Sequence, residues 1–147
     1  YGMDAYIQNE DPKMTVVVGG GFIGLEMAEN FARRGMSVAV VELANHVIGP
    51  LDYDMACEVH RYLRYKGISL LLGRAVKAFH PEKTGLEVEL DHGDTLQADM
   101  VLMSVGVRPE TDLARGAGLL TNARGAILVD KHLRTSDKDI YAVGDAI

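Results

Sequence analysis

The chain has 147 residues, 48% of them apolar, which suits one domain with a real core. Its 15 Lys and Arg stand against 21 Asp and Glu for a net charge of −6, so it has no basic stripe to follow a phosphate backbone, which argues against nucleic-acid binding. No apolar run reaches the roughly 20 residues of a membrane span. Asp4, Gln8, Glu10 and Asp11 interrupt any leader-like segment, and the single Cys57 excludes an internal disulfide and suits a cytoplasmic setting.

Residues 1–13 read as a lead-in ending at Asp11-Pro12, with room for a short helix near 4–8. The run Met14-Thr15-Val16-Val17-Val18 is continuously apolar and β-branched, as a central parallel strand is when both its faces are covered. Gly19-Gly20-Gly21-Phe22-Ile23-Gly24 follows, then a helical spacing of Phe22, Ile23, Leu25, Met27, Ala28 and Phe31 that Gly35 stops. Residues 37–41 return as a second apolar strand with Glu42 at its end. A strand, G-x-G-x-x-G, a helix, a strand and a terminal acid together form a dinucleotide-binding βαβ unit. Gly19 permits the tight turn, Gly21 lets backbone approach a pyrophosphate, and Gly24 lets the helix pack close to the strand. The helix N-terminus offers free N–H groups and a positive dipole end to the phosphates. Glu42 lies where a carboxylate accepts hydrogen bonds from the adenosine ribose. It would repel the 2′-phosphate of NADP, and Leu43-Ala44-Asn45 adds no cation to receive one, so NADH is expected to bind more tightly than NADPH.

A loop at 45–52 containing Gly49-Pro50 leads into a second helix at 53–65, ended by Gly67, and a third strand at 68–72. The order is then β-α-β-α-β. After Gly73 the period changes: short strands at 75–79, 86–90 and 95–98, with turns at 81–85 and 91–94, form a meander in place of the next crossover helix. Residues 100–105 are another buried parallel strand, ending at Gly106. The expected fold is α/β: a Rossmann-like βαβαβ parallel sheet with a β-meander replacing the last crossover helix, in three layers (β/β/α). Beyond Arg108-Pro109 the rhythm is lost, with a short helix at 111–117 and short strands at 126–129 and 140–143. His46, His60, His80, His92 and His132 are scattered without metal-ligand spacing. Arg61, Arg64 and Lys66 read as the solvated face of the second helix. Tyr53, Tyr62 and Tyr65 read as packing residues, and Cys57 as an unactivated thiol with no cation beside it.

With Val105-Gly106-Val107-Arg108-Pro109-Glu110 and Thr135-Ser136-Asp137-Lys138-Asp139-Ile140-Tyr141-Ala142-Val143-Gly144-Asp145 added to the glycine loop, the chain resembles the FAD-dependent pyridine nucleotide-disulfide oxidoreductases. Leu51-Asp52-Tyr53-Asp54-Met55-Ala56 is most similar to the branch of NADH oxidases, NADH peroxidases, coenzyme A-disulfide reductases and persulfide reductases. The resemblance implies an NAD domain inserted in a split FAD domain, followed by an interface domain, in a full-length homodimer. Residue by residue, it implies that Gly19, Gly21 and Gly24 lie under the NAD pyrophosphate and that Phe22 and Ile23 form the turn touching the dinucleotide. Glu26 would stand near the nicotinamide and flavin, Glu42 on the ribose, and Val105 and Gly106 beneath the nicotinamide side. Gly144 and Asp145 would match the second FAD motif.

The same resemblance divides the chain into a lead-in at 1–13, an NAD-binding domain at 14–110 and a return segment of the FAD domain at 111–147. The first FAD glycine motif and the redox cysteine have no counterpart here, so the expectation is an excised piece of a longer enzyme, itself inactive and without bound flavin. In the intact protein, hydride would pass from NADH to flavin and on to a disulfide, persulfide, oxygen or peroxide acceptor. No residue of this chain is required as a catalytic acid or nucleophile. The competing reading is a non-catalytic NADH-sensing module, against which the Gly144-Asp145 motif argues. Residues 111–147 are expected to be marginal in isolation.

Overall fold

β-Branched runs and glycine stops set the order of elements in this computed structural model, which describes residues 2–147; Tyr1, the first residue of the expected lead-in, lies outside them. The elements are α1 (Gly2–Glu10), β1 (Met14–Val18), α2 (Phe22–Arg33), β2 (Ser37–Glu42), α3 (Tyr53–Tyr65), β3 (Ser69–Leu72), β4 (Val76–Pro81), β5 (Leu86–Leu90), β6 (Thr95–Ala98), β7 (Met100–Met103) and α4 (Asp112–Gly116), with a 3₁₀ turn at Gly144–Ala146. Among the described residues, no helix is long and apolar enough to cross a membrane. The chain divides into two units, Tyr1–Val105 and Gly106–Ile147.

In the first unit, β3-β2-β1-β7 form a four-stranded parallel sheet, and β4-β5-β6 form a separate antiparallel one. Neighbouring residues of one strand point to opposite faces, so the continuous apolar runs serve two cores at once. Val17, Val38 and Val40 meet Leu25, Ala28 and Phe31 of α2, Leu63 of α3 and Ile68. Val16, Val18, Ala39 and Val41 meet Val88 and Leu90 of β5 and Ala98 of β6. Helices therefore cover one face and the meander covers the other, which is the three-layer α/β fold read from the sequence. Gly35 (φ +86°) and Gly67 (φ +78°) follow α2 and α3 in the left-handed conformation that ends a helix.

The boundaries differ in small ways from expectation. α1 runs from Gly2 to Glu10, longer than the helix read at 4–8, and Tyr6 fixes it by donating its hydroxyl to the Asp99 carbonyl at 3.0 Å. β7 stops at Met103 rather than 105: the Ser104 N–H still bonds Val18 O at 2.7 Å, but its neighbour β1 ends at Val18 and turns away at Gly19 (φ +108°). Tyr53, Tyr62 and Tyr65 are exposed, not core-packing residues as expected: Tyr53 meets the His46 ring edge-on, Tyr62 donates its hydroxyl to Glu29 Oε1 at 3.0 Å, and the Lys66 ammonium stands 5.3 Å from the Tyr62 ring.

In the second unit, α4 lies within the helix expected at 111–117. The strands expected at 126–129 and 140–143 are each reduced to an isolated bridge, Thr121 with Ile127 and Arg134 with Tyr141. No ladder extends either bridge, so alternating apolar residues such as Leu128 and Tyr141 stay exposed. Buried Thr111 donates its hydroxyl to Gly125 O at 2.7 Å, which closes the unit around Ala126.

Candidate functional site: the glycine loop at the ends of β1 and β2

The chain leaves β1 through Gly19, which has φ +108° and donates its N–H to Val41 O at 2.8 Å. A Cβ at Gly19 would lie 2.1 Å from the Ser104 carbonyl oxygen, so this crossing between the ends of β1 and β7 admits only glycine. A Cβ at Gly24 would lie 2.1 Å from Gly19 O. The absent methyl group is what lets α2 start directly on the loop. Gly21 has no such neighbour: a Cβ there would meet nothing within 4 Å.

That open space is where a ligand's fit can be tested. Gly21 is the N-cap of α2 and offers no side-chain cap. Leu25 N–H to Gly21 O, at 3.0 Å, closes the first turn, leaving the amides of Phe22, Ile23 and Gly24 without an intrahelical acceptor. Phe22 and Ile23 are 62% and 60% exposed, too open for core residues of their size. Free donors, a positive dipole end and a methyl-sized gap in front of them suit a diphosphate.

Glu42 closes β2 beside this loop, half-buried. Its Oε2 accepts the Gly20 N–H at 2.6 Å, and its Oε1 accepts the Ala44 N–H at 2.7 Å. The carboxylate is thus held rigidly by two backbone donors, and each oxygen keeps a lone pair for hydroxyl groups of a ligand. The Glu42 and Ala44 carbonyls accept N–H groups from Arg74 and Gly73, at 3.0 and 2.9 Å. The Arg74 guanidinium pairs with Asp91 at 3.2 Å and Asp94 at 2.5 Å, so this neighbouring cation is already neutralised.

A third wall comes from the segment after β2. Ile48 N–H donates to Gly20 O at 2.8 Å, and Val47 Cγ1 lies 3.0 Å from where a Gly20 Cβ would stand. Ile48 has φ +51°, a left-handed conformation that costs a β-branched residue about 1–3 kcal/mol and persists only where its surroundings enforce it. Val47 N–H donates to His60 Nε2 of α3 at 3.2 Å. Burial, with Arg64 and His46 nearby, pushes the His60 imidazole below the usual histidine range.

The structure therefore brings Gly19, Gly21, Phe22, Ile23, Gly24 and Glu42 together at one sheet end, with Val105 beside Gly19. Glu26 is exposed on α2, where its carbonyl accepts Asn30 Nδ2 at 2.8 Å. Gly106 (φ +101°), Gly144 (φ +76°) and Asp145 belong to the second unit, the last two within its 3₁₀ turn and all three exposed. Sequence reasoning missed Val47, Ile48, His60 and Arg74. A lone helical histidine carries no local sign of its partner, whereas Gly49-Pro50 did mark the bend in which Ile48 sits.

A family profile described as pyridine nucleotide-disulphide oxidoreductase matches residues 2–147. The nitric oxide reductase FlRd-NAD(+) reductase of Shigella boydii is 39% identical over 139 residues, which are 94% of this chain and 36% of that protein. The chain thus spans about a third of the length of the curated relatives it matches. Reduced Bacillus anthracis CoADR-RHD superimposes with a TM-score of 0.90 at 43% identity, over 99% of this chain and 26% of the other. The water-forming NADH oxidase from Lactobacillus brevis, bound to NADH, does so with a TM-score of 0.85 at 32% identity, over 97% and 32%.

Proposed function

This chain belongs to the pyridine nucleotide-disulphide oxidoreductase family, and on that premise we propose that residues 14–110 bind NAD(H) for an FAD-dependent oxidoreductase, with 111–147 part of its FAD-binding domain. The observation that carries the reading is the gap over Gly21, with unpaired α2 amides below it and the fixed Glu42 carboxylate beside it. In this reading the amides of Phe22, Ile23 and Gly24 hold the pyrophosphate, and Gly19 and Gly24 keep the helix close enough to reach it. Glu42 accepts the adenosine ribose hydroxyls. Glu26, Val105 and Gly106 line the nicotinamide end, and Gly144 and Asp145 contact FAD.

FAD, when bound in the intact protein, supplies the hydride acceptor and relays electrons to a disulfide, persulfide, oxygen or peroxide. The residues of this chain do no proton chemistry in that step. They bind the adenosine and diphosphate ends and use that affinity to orient the distant ring. The whole protein further comprises the rest of the FAD domain and an interface domain, works as a homodimer, and resides in the cytoplasm.

Calorimetric titration of the 147-residue chain tests the first part. NADH is expected to bind, and more tightly than NADPH, because Glu42 repels a 2′-phosphate while Arg74 is committed to Asp91 and Asp94. No binding, or NADPH tighter than NADH, would overturn it.

A further inference from the structure

The geometry points to His60 as a positioning residue for the dinucleotide loop: its neutral ring holds the corner at Val47 and Ile48 against Gly20, so NADH binding weakens when that ring takes up a proton. The inference rests on the NAD(H) reading above. His60 is only 4% exposed, and its Nε2 accepts the Val47 N–H at 3.2 Å. An Nε2 that accepts carries no hydrogen, so the ring is neutral with its proton on Nδ1.

Val47, fully buried, holds Cγ1 3.0 Å from where a Gly20 Cβ would stand, and Ile48 N–H bonds Gly20 O at 2.8 Å. Gly20 N–H in turn bonds Glu42 Oε2 at 2.6 Å. One continuous set of contacts thus runs from His60 to the carboxylate assigned to the ribose. Ile48, left-handed at φ +51°, makes the corner ready to relax if its anchor is withdrawn.

Protonation would place an Nε2–H against the Val47 N–H, donor facing donor. Two groups near His60 also bear on its charge: Arg64 on the same helix and His46 in the preceding loop, whose Nδ1 lies 3.0 Å from Val47 O. Together with burial they oppose a proton on His60, so the anchor holds at neutral pH and fails as pH falls below the usual histidine range. His46 acts differently. Its protonated form keeps a hydrogen on Nδ1 and can still donate to Val47 O.

The test is NADH affinity from about pH 8 to about one pH unit below the His60 ring midpoint read by NMR, for the unaltered chain, His60→Gln and His46→Gln. The unaltered chain and His46→Gln are expected to lose about fivefold or more in affinity toward the acid end, while His60→Gln, whose amide oxygen accepts the Val47 N–H at any pH, stays flat. A flat profile in the unaltered chain, or an unchanged slope in His60→Gln, would overturn the inference. If His60→Gln does not fold, the Val47 and Gly20 amide resonances of the ligand-free chain decide. They should shift with the midpoint of the His60 ring, and amides that ignore that midpoint would reject the link. Absence of NADH binding at about pH 8 rejects the NAD(H) reading instead, and the ligand-free amide titration still judges His60 by itself.

Discussion

Gly21 and Gly24 share one motif but answer to different demands, and substituting each with alanine separates them. A methyl group at Gly24 would overlap Gly19 O, so Gly24→Ala should cost about 1–3 kcal/mol in thermal or urea unfolding and also weaken NADH binding. A methyl group at Gly21 meets no protein atom. Its poorer capping and the stiffer unfolded chain roughly cancel, so Gly21→Ala should unfold within about 0.5 kcal/mol of the parent. It should nonetheless lose tenfold or more in NADH affinity, about 1.4 kcal/mol, read by calorimetry. Glu42→Gln should lose both ways, because its two oxygens hold the Gly20 and Ala44 amides: about 1–2 kcal/mol in stability, with a fall in NADH affinity. The three glycines and Glu42 were legible because their spacing is local. That Glu42 already binds two backbone amides, and that Ile48 turns left-handed, follows from tertiary packing that no neighbouring residue announces.

Among the elements, the start of β1 depends on a single side chain after β6. The Asp99 carboxylate accepts the Lys13 and Met14 N–H groups, each at 2.8 Å, and those amides hold it below the usual carboxylate range. A carboxyl whose pKa is lowered by folding stabilises fully above about pH 3.9 and loses that contribution as pH falls through its folded value. Thermal melts should therefore show Asp99→Asn less stable than the parent at neutral pH, with the gap narrowing only as pH falls below about 3.9. The parallel strands were legible because Val-rich runs buried on both faces leave few alternatives, and β5 showed its alternation in Leu86, Val88 and Leu90. The same rule misled at 126–129 and 140–143, since alternation marks a strand only where a neighbour completes the ladder. Those residues find a single bridge each.

At the scale of the whole molecule, the two units differ in what they bury. The first carries both apolar cores, whereas the second buries Thr111, Gly125 and Ala126 and leaves Leu113, Leu120 and Val143 exposed. Hydrogen exchange should be slowest at Val16, Val17 and Val18 and faster by orders of magnitude across residues 111–147. Protection of 111–147 equal to that of β1 would contradict the expected marginality. The full-length protein should be yellow, and NADH should bleach it without oxygen; a colourless product would favour the NADH-sensing alternative. The motifs at 105–110 and 135–145 were legible as sequence, whereas Gly106, Gly144 and Asp145 are exposed, so no buried contact within the second unit marks them.

The division of labour between odd and even residues of β1 has a consequence for how such proteins can diversify. Val17 answers to the helices and Val16 and Val18 to the meander, so the two coverings are specified by separate sets of side chains. Transplanting residues 75–98 from a relative would leave the glycine loop and its helices to mature independently, provided Asp91 and Asp94 are kept to pair Arg74. The meander is, in that sense, an interchangeable part.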